Sequence, residues 1–279
     1  MTLLAILVGT LVAGIGSVWL AAWLSFGVLS RYTQHMLSLA AGALMATSFL
    51  HLLPEAFESE AGAHELFLTL LVGLVFFFLL DKAELWHHGH EHAHGHGHDH
   101  GHGHHRHDEQ KSTTTMAHAH GKTAGDESPR GAWAVLAGDS VHCFGDGILI
   151  ASAFIADMRL GVIAALAVLA HEIPHHMGDL AVLRQGSSSR KAAIVKVSMA
   201  GAITALGGAV GYVLVDALRD WLPFFLVVAS SSFVYVALAD LIPQLQKRLS
   251  AQETAAQILW LGVGIGMVVL VSALAGHQH

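Results

Sequence analysis

The sequence places a cluster of metal-binding side chains inside an apolar stretch. The motif HEIPHHMGD begins at His171 and lies in the middle of the apolar run 160–183. His171 and His175 are one helical turn apart, as are Glu172 and His176, so four ligand-type side chains occupy neighbouring positions on a predicted helix. Charged groups are costly at the centre of a bilayer and normally mark an ion or proton path there. The motif therefore predicts an ion-binding function inside a membrane.

A second motif, DSVHCFGDG, begins at Asp139. His142 and Asp146 share one helix face, with Cys143 beside them. Only residues 157–159 separate the two predicted helices, so the helices must be antiparallel neighbours, and both motifs lie about 18 to 26 Å from this connection. Imidazole, carboxylate and thiolate together suit Zn(II), with Fe(II), Mn(II), Co(II) and Cd(II) as related ions. We predict a metal site formed by His142, Cys143, Asp146, His171, Glu172 and His175.

Pro174 lies inside the first motif. Because proline lacks an N–H, it leaves the carbonyl of Ala170 without its helical partner and is expected to kink the helix. Non-helical backbone at membrane depth is tolerated where it lines a cavity. Several further polar residues are candidates for a secondary metal or gate role. This set is His176, Asp179, His51, Glu55 and Asp240. For Glu55, at a helix end, we favour simple solvation. Asp139, a further candidate for a gate or relay, and Asp179 could equally be satisfied by hydrogen bonds between helices.

The composition identifies a membrane protein. Of 279 residues, 53% are hydrophobic and only 13% are charged, and the mean hydropathy is +0.54. The formal net charge of -7 gives no support for nucleic-acid binding, and the single cysteine excludes an intramolecular disulfide. Runs of membrane-crossing length predict eight helices, at about 3–26, 35–53, 65–82, 131–156, 160–183, 191–215, 222–245 and 256–275. We therefore predict an all-α polytopic membrane protein.

The basic residues predict the orientation of this bundle. All but two of the 14 Lys and Arg residues, Arg159 and Arg219, fall on the side of the third connection. The positive-inside rule then places that connection in the cytoplasm and both termini outside, in a multi-pass protein of the cell membrane. We divide the chain into helices 1–3 (1–86), a loop (87–130) and helices 4–8 (131–279).

The loop is a histidine-rich segment of low complexity. Its histidines mostly alternate with Gly, Ala, Asp or Glu, so we expect disorder in the absence of metal. Imidazoles in this arrangement would bind Zn, Ni or Cu ions weakly. The segment is either a polar linker that happens to chelate or, as we favour, a cytosolic metal buffer or sensor. The predicted buffer residues are His87, His88, His90, His92, His94, His96, His98, His100, His102, His104, His105 and His107.

Two weaker patterns concern architecture. The segment His51-Leu-Leu-Pro54-Glu55 resembles Asp240-Leu-Ile-Pro243-Gln244, and related segments in two halves are typical of an inverted-repeat transporter bundle. The prolines could equally mark helix ends. Glycines in helical spacing, such as Gly207 and Gly211, predict close helix packing and are compatible with a homodimer.

At these motifs the chain resembles the ZIP (Zrt/Irt-like protein) family of zinc transporters over nearly its whole length. HExPHxxGD at 171–179, GDxxHxxxDG at 138–147, HLLPE at 51–55 and the histidine-rich third loop occur in the family's order. The resemblance implies eight helices with both termini outside, and import of Zn(II) or related ions into the cytosol. It also implies alternating access, of an elevator type, at a site on helices 4 and 5 that is often binuclear. By position, His142, Asp146, His171, Glu172 and His175 match the family's metal-binding residues.

The chain also departs from the family pattern. Cys143 stands where many members have Asn, and this softer ligand would favour Zn or Cd over Mn or Fe. His176 stands where the HExPHE subfamily has a second Glu. Helix 6 offers no buried carboxylate, only Asp216 near its end. We therefore expect one metal site and leave a second one open.

Other functional classes fit less well. HEIPH also satisfies the HExxH motif of zinc proteases, with Glu172 as general base, but Pro174 occupies that motif and an Asp-type third ligand lies upstream at Asp146 rather than downstream. Metal exporters of the cation-diffusion type typically have six helices and a soluble C-terminal domain, whereas here we expect the chain to end four residues after helix 8. A protein that binds metal without transport stays open. We predict a transporter rather than an enzyme, with Zn(II) as substrate, no organic cofactor, and divalent ions and the lipid bilayer as partners.

Overall fold

The computed structural model describes residues 1–25, 33–89, 129–185, 189–245 and 250–276. These residues form helices and connecting turns, without a strand among them. Eight helices in the described ranges are long and apolar enough to cross a membrane, which confirms the predicted all-α polytopic fold. In chain order, the eight helices are α1 (Thr2–Leu11 and Ser17–Ser25), α2 (Thr33–Thr47 and Leu53–Phe57), α3 (Ala63–Gly89), α4 (Pro129–Ala156), α5 (Met158–Gln185), α6 (Arg190–Ala217), α7 (Leu222–Tyr235 and Ile242–Leu245) and α8 (Ala251–Gly276).

Three helices are interrupted by a wide π-helical turn, at Val12–Gly16 in α1, Ser48–Leu52 in α2 and Val236–Leu241 in α7. In α2 and α7 the turn is followed by a short α-helical segment whose second residue is proline, Pro54 or Pro243. Proline has no N–H to donate, yet the chain stays helical across the turn in α2, where the N–H of Leu53 bonds to the carbonyl oxygen of Ser48. The two echoed sequence segments therefore share one local structure, and the inverted repeat itself stays a prediction.

The prolines do not end these helices. α2 continues to Phe57, beyond its predicted end at residue 53, and α3 continues to Gly89 rather than 82. α5 is continuous through Pro174. Hydropathy locates the apolar middle of a helix, whereas the polar ends extend as long as backbone geometry allows, and this explains the longer helices.

The helices pack in two groups. α4 packs most extensively against α6, and α1 packs against α5 and α6; in the second group α2 packs against α8 and α7, and α3 against α7. The main contact between the groups joins α2 to α5. α2 and α5 are also the most buried of the eight helices, and α3 and α8 the least buried. The centre of the bundle is therefore the border between the two groups, along α5.

Glycines allow the closest of these contacts. A Cβ atom on Gly147 of α4 would lie 2.1 Å from the carbonyl oxygen of Thr204 on α6, and one on Gly207 of α6 would lie 2.1 Å from that of Phe144 on α4. Backbone meets backbone at both points, as small residues permit in membrane helices. Gly207 therefore serves packing within the chain.

A very short connection sets α4 against α5. α4 ends at Ala156 and α5 begins at Met158, so Asp157 alone connects them. Oδ1 of Asp157 accepts hydrogen bonds from the backbone N–H groups of Arg159 (2.8 Å) and Leu160 (3.1 Å), which caps the start of α5. The two helices are thus antiparallel neighbours, as the sequence predicted.

Candidate metal centre

Ligand-type side chains of α4 and α5 meet in the buried region between these helices. His142 and Asp146, separated by one turn, face the same side as His171 and Glu172 of α5. Cys143 and Asp139 lie on the other side of the Glu172 carboxylate. One ligand atom from each of four residues lies within 4.8 Å of the others in each of two sets, which are His142, Asp146, His171 and Glu172 (the first set) and Asp139, Cys143, Glu172 and His176 (the second set).

The first set has the spacing of a tetrahedral zinc site. Nε2 of His171 lies 3.1 Å from Oδ2 of Asp146 and 3.2 Å from Oε1 of Glu172. Nε2 of His142 lies 3.3 Å from the same Oε1 atom, 3.4 Å from Nε2 of His171 and 3.9 Å from Oδ2 of Asp146. Zinc bonds of about 2.0 to 2.1 Å place neighbouring ligand atoms about 3.3 Å apart in a tetrahedron. Two imidazoles and two carboxylates could therefore hold one ion with little movement.

The second set has comparable spacing and adds a sulfur atom. Nε2 of His176 lies 3.1 Å from Oε2 of Glu172 and 3.7 Å from Oδ1 of Asp139. Sγ of Cys143 lies 3.6 Å from Oδ1 of Asp139 and 3.9 Å from Oε2 of Glu172. With a zinc–sulfur bond of about 2.3 Å, a sulfur and an oxygen ligand are about 3.6 Å apart in a tetrahedron. A second ion fits these four atoms.

Glu172 belongs to both sets. Its Oε1 atom faces His142 and His171, and its Oε2 atom faces His176 and Cys143. The carboxylate can therefore bridge two ions, one through each oxygen. This sharing is what joins the two sets into one candidate centre.

The ring of His171 is held in place from outside the first set. Its Nδ1 atom lies 3.3 Å from the carbonyl oxygen of Ala167, one turn earlier in α5. A hydrogen bond donated by Nδ1–H leaves the lone pair on Nε2, which faces the set, as is usual for metal-binding histidines. The ring also packs against Phe233 of α7, with ring centroids 6.5 Å apart. The first set thus lies where the two helix groups meet.

Access differs among the ligand side chains. His142 is 30% exposed, whereas Asp139 is 7% exposed and Asp146, His171, Glu172 and His176 are 3% exposed or less. His142 is therefore the most exposed of these ligand side chains.

His175 and Asp179 lie beside the two sets rather than in them. The ring of His175 is 5.4 Å from that of His142 and 6.0 Å from that of His171, measured between centroids. Asp179 interacts electrostatically with Asp139 and His175. A direct metal contact of either residue stays a prediction.

Among the described side chains, two more predicted residues, His51 and Glu55, are not brought to the centre. His51 and Glu55 lie near the end of α2, in neither set, and Glu55 is exposed. The side chain of Asp240 and those of His87 and His88 lie outside the described part of the structure. The other predicted loop histidines, from His90 to His107, also lie outside the described residues.

The sequence predicts Asp139 as a gate or relay residue rather than a metal ligand, and His176 only as a secondary metal or gate residue. A signal for Asp139 exists in the sequence, because it lies one turn before Cys143 and therefore shares its face. Sequence spacing could not decide that this face turns toward Glu172, because that depends on the rotation of α4 about its own axis.

Comparison with known sequences adds a family likeness to this geometry. The model of a family described as ZIP Zinc transporter matches residues 1–272. The chain is similar to the Zinc transporter ZIP13 of Pongo abelii, at 28% identity over 95% of this chain and 77% of the relative. It is also similar to the Zinc transporter foi of Drosophila melanogaster (32% identity, 52% of this chain) and the Zinc transporter zipt-7.2 of Caenorhabditis elegans (35%, 50% of this chain). The matched parts span only 20% and 31% of these two relatives.

Proposed function

The chain belongs to the ZIP zinc transporter family, and on this premise we propose that it imports divalent metal ions, Zn(II) above all, into the cytosol. Fe(II), Mn(II), Co(II) and Cd(II) are the related ions that the same donor atoms could bind. The transport path passes through the centre between α4 and α5. The ion is the substrate, and the proposal includes no organic cofactor and no catalytic step.

One observation carries the proposal: Glu172 belongs to both ligand sets, and these sets lie about halfway along two membrane-length helices, α4 and α5. Their acidic groups are three carboxylates, of Asp139, Asp146 and Glu172, and the thiol of Cys143. When all four are deprotonated, their four negative charges match the four positive charges of two divalent cations. A neutral cluster avoids most of the cost of burying charge in a low-dielectric region. We therefore propose two metal positions rather than one.

The location of the centre supports transport rather than permanent binding. The centre lies along α5, where the helix group α1, α4, α5 and α6 borders the group α2, α3, α7 and α8. A rigid-body shift of one group against the other would move the ligands on α4 and α5 together. This arrangement supports alternating access of the elevator type, in which a site near the midplane is exposed to each side in turn.

The geometry does not favour a protease. A protease of the HExxH type needs Glu172 as a general base on a metal-bound water. Here both oxygens of Glu172 face ligand atoms of the two sets, which supports a role of the carboxylate as a ligand.

Orientation and location complete the proposal. Both termini are extracytoplasmic, the protein resides in the plasma membrane, and the histidine-rich loop that joins α3 to α4 is cytoplasmic. The clustering of Lys and Arg on one side of the helices supports this orientation. The homodimer stays a prediction, which cross-linking in membranes would test.

Zinc flux into proteoliposomes tests the function. Purified protein should accumulate radioactive zinc inside vesicles, and an excess of unlabelled Cd(II) or Co(II) should compete. Asp146→Ala and His175→Ala should each remove most of this flux while the protein still reconstitutes. Flux at the wild-type rate from both variants, or none from the wild type, would contradict the proposal.

A further inference from the structure

We propose that Ser17 of α1 is a positioning residue that holds His176 in the orientation and tautomer needed to bind a metal ion in the second set. The inference rests on the proposed function, because it concerns how that centre is assembled. It adds a third helix to a centre otherwise built from α4 and α5.

The hydrogen bonds at Ser17 fix the direction of the contact. Oγ of Ser17 lies 2.9 Å from Nδ1 of His176, and both side chains are fully buried. The hydroxyl of Ser17 donates to the carbonyl oxygen of Gly14, at 2.6 Å. A serine hydroxyl has only one proton to donate, so Nδ1–H of His176 is the donor in the second contact. The lone pair of the neutral ring is then on Nε2.

That tautomer is the one that the second set needs. Nε2 of His176 is the atom that lies 3.1 Å from Oε2 of Glu172 and 3.7 Å from Oδ1 of Asp139. A metal-binding histidine usually donates its other ring N–H to a partner outside the site, which orients the ring. His171 obtains this partner from its own helix, at the carbonyl of Ala167. His176 obtains it from α1.

The position of Ser17 is itself well determined. Ser17 directly follows the π-helical turn Val12–Gly16. Within that turn, a Cβ atom on Gly14 would lie 2.0 Å from the carbonyl oxygen of Gly201, so α1 rests directly on the backbone of α6. Val18 and Met177, which follow Ser17 and His176 in sequence, are buried in one apolar cluster. The hydroxyl therefore reaches His176 from a helix held on two sides.

Cobalt(II) absorption gives a selective readout of the second set. Cys143 is the only cysteine in the chain, so a thiolate-to-cobalt charge-transfer band can arise only from an ion bound at Cys143. Ions on the histidine-rich loop do not contribute to that band. Titration of the purified full-length protein with Co(II) thus measures the affinity of the second set alone.

Ser17→Ala should raise the cobalt concentration at half-saturation of this band about ten- to a hundredfold, the usual effect of losing an outer partner of a metal-binding histidine. Ser17→Thr retains the hydroxyl and should restore tighter binding. The control is Ser152→Ala on α4, which removes an equally buried hydroxyl that donates to the carbonyl of Ile148 in its own helix. It should titrate like the wild type.

A second comparison separates positioning from general damage. In a His176→Ala background, the added Ser17→Ala change should have no further effect, because the ring that it orients is gone. An equal weakening in that background, or wild-type titration by Ser17→Ala itself, would overturn the proposal. A wild-type protein without a thiolate-to-cobalt band would also overturn it.

Zinc flux distinguishes this failure from failure of the proposed function. If Ser17→Ala weakens cobalt binding only when His176 is present, and the wild type shows no zinc flux, the role of Ser17 stands and the transport proposal fails. If the wild type transports zinc and Ser17→Ala binds cobalt like the wild type, the transport proposal stands and the role of Ser17 fails.

Discussion

Nε2 of His142 and Oε1 of Glu172 lie 3.3 Å apart, although the two residues belong to antiparallel helices. Each is 15 residues from Asp157, the single residue that connects α4 to α5. Equal separation from the connection brings the two side chains to the same depth, because both helices rise about 1.5 Å per residue. The distance matches the spacing of two ligands on one zinc ion.

Glu172→Gln tests the shared ligand. Glutamine keeps the size of the side chain but removes its charge and replaces one oxygen with an amide donor. Because both sets use Glu172, we expect zinc flux in proteoliposomes to fall by about tenfold or more, with weaker binding at both positions. The matched control is Asp216→Asn at the end of α6, where the exposed carboxylate pairs with Arg219. Normal flux through Glu172→Gln would argue against a bridging role.

Cys143→Ser tests selectivity. The change replaces the only sulfur ligand of the second set by a hydroxyl, which is a harder ligand. The affinity for soft ions such as Cd(II) should therefore fall more than the affinity for Mn(II). We expect Cd(II) to compete less effectively with radioactive zinc in the variant, and Mn(II) to compete at least as well as before. An unchanged order of competition would show that Cys143 does not contact the transported ion.

Gly147→Ala tests the contact between α4 and α6. A Cβ atom there meets the carbonyl oxygen of Thr204 at 2.1 Å, so the two backbones must separate. Overpacking of this kind typically costs about 1 to 3 kcal/mol, and thermal unfolding in detergent should show the loss. Gly145→Ala is the matched control two residues away, since a Cβ atom there has no neighbour within 4 Å. Equal melting temperatures for the two variants would contradict the described packing.

Deletion of residues 87–107 tests the division of labour between the loop and the membrane helices. The deleted segment carries the predicted buffer histidines. It contains none of the seven ligand-type residues of the two sets, nor their neighbour His175. We therefore expect zinc flux in proteoliposomes to persist, while the handling of zinc in the cytosol of intact cells changes. A well-reconstituted deletion variant without flux would place the loop in the transport path.

The sequence was sufficient for the fold and for the depth of the centre. Eight apolar runs predict eight helices, and the short link at Asp157 brings His142 and Glu172 to one level. Both inferences depend on distance along the chain, which the sequence contains directly.

The composition of the second set could not be predicted in the same way. Whether Asp139 turns toward His176 depends on the rotation of α4 about its axis, and the contact from Ser17 depends on where α1 packs. Ser17 and His176 are 159 residues apart, with no pattern in the sequence to link them. The spacing of apolar residues likewise does not indicate the π-helical turn before Ser17.

The most direct test of the shared centre is an anomalous difference map, measured at the zinc edge from crystals of the protein grown with Zn(II). The geometry predicts one peak on each side of the Glu172 carboxylate, about 2.0 to 2.3 Å from the ligand atoms of the two sets. Zinc bound elsewhere at saturation, with no peak between α4 and α5, would contradict the centre and the transport path drawn through it.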